Sequence, residues 1–326
     1  VSYVLGSVEK HRADEIVVDL EPRSEPSIQV GSLDRDVQFS GAATAPRDAR
    51  TRSFLKIQDG CDYLCSFCTI PLARGASRSR DFAEVLTAAR EIVASGYREI
   101  VLTGVNTGDY RGAKDERLVD VLALLHDVEG LERLRISSIE PNLLTDNIVR
   151  LAAASPIMVP HFHVPMQSGS DEVLASMRRR YRSSRYRDRI LSLVDAIPDV
   201  AIGVDVIVGY PGETEQQFEE TRLFLANLPI SYLHVFPYSE RENTDAAAMP
   251  GKVPVSERKD RTRILRDLSS RKSRLFAERY FGSSRPVLFE SIDGEGMLVG
   301  YSDNYVRTVV PGTSHLVGTI GMVRLG

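Results

Sequence analysis

The sequence predicts an α/β fold: a partial open (β/α)6 barrel followed by a small all-β barrel. Three observations predict it. From residue 53 to about residue 240, short apolar runs alternate with amphipathic helical stretches. This is the pattern of a parallel sheet covered by helices on both sides. Six such units can be counted, too few to close an eight-stranded barrel, so the barrel should stay open with its chemistry at the C-terminal strand ends. From residue 285 the pattern changes to four or five short strands joined by Gly, Asp and Asn turns, the signature of a small β-barrel.

Taken in order, Val1 to Leu5 reads as a strand, followed by a short αβ piece ending in EIVVDL. Residues 21–52 hold Pro, Ser and Gly with little periodicity and read as a linker. The run SFLKIQ is the first barrel strand. DFAEVLTAAREIVAS is a helix, with Asp81 and Glu84 spaced as a capping box and Val85, Ala89 and Ile92 on one face. EIVLTG, LRISSIE, MVPHFHVPM, AIGVDVIVG and SYLHVFPYS are the remaining strands. Between them lie helices in LVDVLALLHDV, in TDNIVRLAAAS, across 171–197 and from Thr214. Residues 255–281 form a charged helix. PVLFESI, GMLVGYS, YVRTVVP and LVGTIGMVRL are the closing strands. The expected organisation is 1–50, 51–245 for the barrel, 246–282 for a helical connector and 283–326 for the β-barrel.

The chain has 326 residues, 42% hydrophobic and 26% charged, with a net charge of −4. That is an ordinary globular composition. No apolar run approaches the ~20 residues that cross a bilayer, so no membrane association is expected. The cysteines are odd in number and clustered, which suits a reducing cytoplasm.

Those cysteines carry the most information. Cys61, Cys65 and Cys68 stand in GCDYLCSFC, directly after the first strand, and the chain has no other. Three thiolates on one loop can hold a cubane iron–sulfur cluster at three irons, leaving the fourth open for a small molecule. A structural zinc site would want a fourth ligand, and no His lies nearby in sequence. A disulfide would strand one cysteine. The C-x3-C-x2-C spacing resembles the signature of the radical S-adenosylmethionine (SAM) enzymes, which bind SAM at the open iron of a [4Fe-4S] cluster. Phe67 resembles the usual aromatic of that loop, with loop packing as the alternative.

Further motifs fall at successive strand ends. Thr103, Gly104 and Asn106 in LTGVN match the position at which that superfamily binds the SAM amino group, although alone they would pass for a turn. Glu140, beside Ser138 in ISSIEP, is a carboxylate at the third strand end. Gln167, Ser168 and Gly169 follow the fourth strand. The resemblance implies contacts to the SAM ribose and carboxylate there, with Arg179 or Arg180 able to pair with the carboxylate. Gly209, Gly212 and Glu213 in VDVIVGYPGET resemble the fifth-strand motif that passes close to the adenine.

Two basic clusters interrupt an otherwise acidic chain. Residues 178–189 carry seven Arg, one Asp and two Tyr, and residues 257–280 carry nine Lys or Arg against four Asp or Glu. Arg suits phosphate and Tyr can stack on an unpaired base, so Arg178, Arg179, Arg182 and Arg185 are RNA-contact candidates, a solvated helix face being the alternative.

The ordered set GCDYLCSFCTIPLARG, SRSRDFAEV, EIVLTGVNTGDY, LRISSIEP, HVPMQSGSDEVLASMRRRY, VDVIVGYPGETEQQFEET and LHVFPYSER resembles the radical SAM methylthiotransferases from about residue 51 to 326. The closing barrel is similar to their TRAM domain, an RNA-binding module, though it is not itself basic. The resemblance implies insertion of a methylthio group at an unreactive C–H bond, one SAM yielding a 5′-deoxyadenosyl radical and another the methyl. TGVNTGDY and RISSIEP look most like the branch that acts on N6-threonylcarbamoyladenosine of tRNA beside the anticodon. The alternatives are the isopentenyladenosine and ribosomal-protein branches, and a single-cluster radical SAM enzyme. An RNA-binding protein with a structural cluster is the reading from another class. The implied partners are tRNA, an electron donor such as flavodoxin or ferredoxin, and a sulfur source, with the protein a cytoplasmic monomer. The family carries a second cluster on three further cysteines in an N-terminal domain. This chain begins at Val1 and holds only one triplet. It is therefore expected to be truncated, its first 50 residues a remnant of that domain plus linker, and to cleave SAM without completing methylthiolation alone.

Overall fold

A computed structural model describes residues 1–19, 21–33, 39 and 51–326. Six parallel strands run in chain order: β1 (Arg52–Lys56), β2 (Glu99–Thr103), β3 (Arg133–Ile136), β4 (His161–His163), β5 (Ala201–Val208) and β6 (Tyr232–Pro237). β1, β2 and β3 form one parallel sheet, and β4, β5 and β6 another. A parallel bridge between Leu134 and Met158, with Ile139 N–H donating to the His163 carbonyl at 3.0 Å, joins the two into one curved wall. β1 and β6 remain edges, as an open six-stranded barrel requires.

The helices on the outer face are α1 (Phe82–Ala94), α2 (Leu118–Leu125), α3 (Asp146–Ala154), α4 (Asp171–Ser176), α5 (Ser183–Ala196) and α6 (Glu215–Asn227). Local chemistry starts them where expected. The Asp81 carboxylate accepts from Ala83 and Glu84 N–H at the head of α1. Thr214 and Gln217 form a reciprocal capping box on α6. Val85, Ala89 and Ile92 of α1 are fully buried against Ile100, Leu102 and Leu134 of the sheet.

The strands are not apolar on both faces, as the sequence suggested. Register aligns Arg52 with Glu99 and Arg133, and Phe54 with Val101 and Arg135. Alternation along each strand turns Ser53 and Leu55 towards the helices and Arg52 and Phe54 towards the lumen. The open barrel thus has an apolar outer core and a polar inner lining. β4 is only three residues long, because Pro160 and Pro165 flank it and neither has an N–H for the ladder.

The long helix α7 (Val255–Glu278) covers the β6 edge. Ser269 Oγ accepts from Leu233 N–H at 2.8 Å and donates to the Leu233 carbonyl at 3.1 Å, so a side chain stands in for a neighbouring strand. Beyond it, β7 (Ser284–Ile292), β8 (Met297–Ser302), β9 (Arg307–Pro311) and β10 (Ile320–Arg324) pair antiparallel in the order β9-β8-β7-β10. This sheet sits under the N-terminal ends of the barrel strands. Arg133 donates to the Pro286 carbonyl at 2.6 Å, and the Tyr305 ring stacks on His161 with centroids 4.3 Å apart.

In the N-terminal stretch, Tyr3–Leu5 pairs in parallel with Ser27–Gln29, so the expected linker contains a strand. Of the short αβ piece expected to end in EIVVDL, the structure shows a helical turn, Ala13–Ile16, followed by irregular chain over residues 17–19. Most of the remaining linker, residues 34–38 and 40–50, lies outside the described residues.

Candidate metal centre and barrel lumen

Just past β1, Gln58–Asp59 pairs antiparallel with Arg78–Ser79 and pinches off the loop that carries the three cysteines. Gly60 makes the pinch possible: its φ is +71°, and a Cβ there would lie 1.9 Å from the Ala76 carbonyl oxygen. Each thiol meets a donor. Cys61 Sγ accepts from Tyr63 N–H at 3.4 Å, Cys68 Sγ from Ile70 N–H at 3.4 Å, and Cys65 Sγ from Arg179 Nη1 at 3.2 Å. Burial, reinforced by the neighbouring thiols, pushes Cys61 up to about 11, so metal binding there would displace a proton. Three half-buried free cysteines on one loop, each with an N–H donor aimed at sulfur, fit a cluster ligated at three irons.

The loop is held from behind. Ser66 Oγ lies 2.8 Å from the Tyr210 hydroxyl and donates to the Ser176 carbonyl at 2.9 Å. Phe67 packs against the buried cluster of Val173, Met177, Tyr210 and Tyr238, which is its packing role. Tyr63 is clamped between the Asn142 amide, 2.7 Å from its hydroxyl, and the Arg180 guanidinium, 3.9 Å above its ring.

The structure sorts the residues singled out in the sequence. Glu140 lies at the cysteine loop, ion-paired with Arg179. Arg179, an RNA-contact candidate in the sequence, is therefore turned inward, with its side chain 4% exposed. Arg178, Arg182 and Arg185 are exposed, Arg178 pairing with Asp245. Asn106 is buried with neither side-chain oxygen nor nitrogen partnered among the described residues, while its N–H reaches Gln58 Oε1 at 2.7 Å. Such a buried amide calls for a polar partner, from water or a ligand. Thr103 and Gly104 line a cavity at the same end with Lys56, Asp59 and Arg74.

The others are engaged within the protein. Ser168 is fully buried and lies 3.2 Å from Thr221 Oγ1. Gln167 adopts φ +69°, its backbone bridging to Val206. Glu213 is inside, accepting from Gly209 N–H and Arg261 Nη1 at 2.6 Å each, and burial raises its pKa in spite of them. Gly209, at φ +73°, is needed because a Cβ would lie 2.3 Å from Arg258 Cγ. Close approach of the Arg258 side chain is by itself enough to demand this glycine. Arg258 and Arg261 of the second basic cluster are likewise buried structural groups.

The lumen holds residues that the sequence reading missed. His163 Nε2 lies 3.0 Å from Asp205 Oδ1, and its Nδ1 lies 3.1 Å from Ser138 Oγ. His234 completes a group whose candidate ligand atoms all lie within 4.8 Å. Below them stand Arg52, Glu99, Arg133 and Arg135. The signal was present as period-two polar residues in RLRIS and HFH, and was hidden by the apolar content of the same runs.

Comparison with known proteins places this geometry. Residues 55–225 match the family model described as the radical SAM superfamily. The threonylcarbamoyladenosine tRNA methylthiotransferase MtaB of Bacillus subtilis is 43% identical over 282 residues, 85% of this chain and 62% of that protein. The protein of the same name from Aquifex aeolicus is 36% identical, covering 88% of this chain and 70% of that one. The chain belongs to the radical SAM superfamily, in its methylthiotransferase family. A tRNA-2-methylthio-N(6)-dimethylallyladenosine synthase from Vesicomyosocius okutanii is 30% identical over the full chain and 74% of its own length. Among solved structures, coproporphyrinogen III oxidase of Escherichia coli, a radical SAM enzyme, shares the fold with a TM-score of 0.51 at 13% identity, over 80% of this chain and 67% of that one. This radical SAM chain spans about six-tenths of the length of the Bacillus relative. No helix among the described residues is long and apolar enough to cross a membrane.

Proposed function

We propose that the chain is the catalytic part of a methylthiotransferase that modifies C2 of N6-threonylcarbamoyladenosine in tRNA, next to the anticodon. The observation that carries this is the identity of the relatives. Those named for threonylcarbamoyladenosine reach 43%, against 30–33% for those named for dimethylallyladenosine. The cysteine loop, with Arg179 and Glu140 over it, supports the chemistry.

When bound, a [4Fe-4S] cluster and SAM supply a radical that takes a hydrogen from an unreactive carbon. The residues of this chain do the rest. Cys61, Cys65 and Cys68 hold three irons. Arg179 donates to the Cys65 sulfur and neutralises Glu140. Thr103, Gly104, Asn106, Ser138 and Gln167 offer polar groups to SAM, the unpartnered Asn106 amide foremost. Ser168, Gly209 and Glu213 shape the backbone around that site. Arg180, stacked on the Tyr63 ring beside the cysteine loop, is the candidate partner of the SAM carboxylate, and Arg178, Arg182 and Arg185 form the phosphate-facing patch.

In this reading residues 51–245 are the barrel, 246–282 the connector and 283–326 a TRAM-like module for RNA, with residues 1–50 preceding them. Sulfur and electrons come from outside this chain.

The test is anaerobic reconstitution with iron and sulfide, then dithionite, SAM and tRNA. 5′-Deoxyadenosine release that is lost in Cys65→Ala, and that rises with threonylcarbamoylated tRNA over isopentenylated tRNA, is the expected result. No release from cluster-loaded protein would overturn the reading.

A further inference from the structure

We propose that the barrel lumen reads the carboxylate of the N6 substituent on the target adenosine, with Arg135 as its anchor. This rests on the proposed function and adds the group that would tell a threonylcarbamoyl from an isopentenyl substituent.

A cavity of about 770 Å³ runs through the lumen between the barrel and the C-terminal sheet, lined among others by Arg52, Arg135, His163, His234, Tyr232 and Tyr305. That is the size of a small-molecule site. Arg135 is 4% exposed, and its Nε donates to Glu99 Oε1 at 2.9 Å. Its Nη1 is buried and has no partner among the described residues. A buried donor on a charged group is costly to leave unmade, and such groups are rarely orphaned without a functional reason.

Charge points the same way. Among the described residues, Arg52, Arg133 and Arg135 form ion pairs with two carboxylates, Glu99 and Glu290. His161, in the same layer, is held neutral by burial and by Arg135. Among the described residues three guanidinium groups thus pair with two carboxylates, and an anionic ligand group would balance the third. One layer up, Asp205 is engaged by His163 at 3.0 Å with His234 beside it.

A threonylcarbamoyl group carries a ureido N–H, a hydroxyl and a carboxylate. Asp205 and the two imidazoles suit the first two, and the Arg135 guanidinium suits the third in bidentate fashion. An isopentenyl group offers none of these and would leave the polar lining unpaired. Arg135 lies on the lumen face below Ser137 and Glu140. A purine with C2 held at the cysteine end leaves its N6 substituent free to extend down to it.

The test compares binding of the 326-residue chain to anticodon stem-loop RNAs by fluorescence anisotropy. The RNAs differ only in the target adenosine: threonylcarbamoyl, its methyl ester, isopentenyl and unsubstituted. The acid should bind at least tenfold more tightly than the ester, and Arg135→Gln should lower its affinity to that of the ester. Because the acid–ester comparison uses the unaltered chain, it decides the matter even if Arg135→Gln fails to fold. Equal binding of acid and ester, both above unsubstituted RNA, would overturn the carboxylate contact and leave the proposed function standing. Acid no tighter than isopentenyl or unsubstituted RNA would overturn both. Discrimination retained in a folded Arg135→Gln would remove Arg135 from the role.

Discussion

Arg179 Nη1 lies 3.2 Å from Cys65 Sγ while the same guanidinium ion-pairs with Glu140. One planar cation therefore ties a candidate cluster ligand to the carboxylate at the third strand end. Its position follows from Arg178, held at φ +58° just past α4, which turns the chain back over the cysteine loop. Hydrogen bonds to ligating sulfur are among the levers that set cluster potential.

Arg179→Lys keeps the charge and loses the fork. The reconstituted variant should retain iron but show a lower cluster reduction potential and slower 5′-deoxyadenosine release. Potentiometric titration followed by electron paramagnetic resonance measures it, and an unaltered potential would show that the Arg179–Cys65 contact is electrically silent.

Glu99 gives a pH prediction. Burial alone would raise its pKa, but Arg135, Arg52 and Arg133 outweigh burial and hold it below the ordinary carboxylate value. A depressed folded pKa stabilises above the unfolded value and is lost as pH falls through the folded one. Native stability should therefore fall on acidification below about pH 4.5, the ordinary glutamate value. Glu99→Gln should cost about 3–5 kcal/mol at pH 7, since it leaves buried arginines unpaired, and should flatten the acid limb. Urea melts from pH 3 to 7 would show it.

Gly209→Ala tests the close approach of Arg258. The φ of +73° and the 2.3 Å clash with Arg258 Cγ both oppose a side chain. The expected loss is about 1–3 kcal/mol from the backbone conformation, with more if Arg258 cannot retreat from the Val253 and Tyr238 carbonyls it serves. Thermal unfolding at neutral pH reads it, and a melting point within a degree of the wild type would refute the packing argument.

Replacing Arg178, Arg182 and Arg185 together by Ala should weaken tRNA binding and lower the salt slope by about 2, at roughly 0.7 per single-stranded phosphate contact. An unchanged slope would move the phosphate contacts elsewhere. Arg179 is excluded from this set because it is buried, so its loss would act through the cysteine loop.

The sequence by itself determined the strand-and-helix alternation, the helix starts at Asp81 and Thr214, the cysteine loop, and the family. These are local: caps, periodicity and an eight-residue cysteine spacing need no distant partner. Only the tertiary structure decided which arginines are exposed and which face inward. A run such as RRRYR reads as one basic patch, yet the turn at Arg178 sends Arg178 outward to Asp245 and Arg179 inward to Cys65. The polar lumen was equally hidden. Arg135, His163 and His234 sit on three different strands, and only strand register in a curved sheet brings their side chains to one cavity.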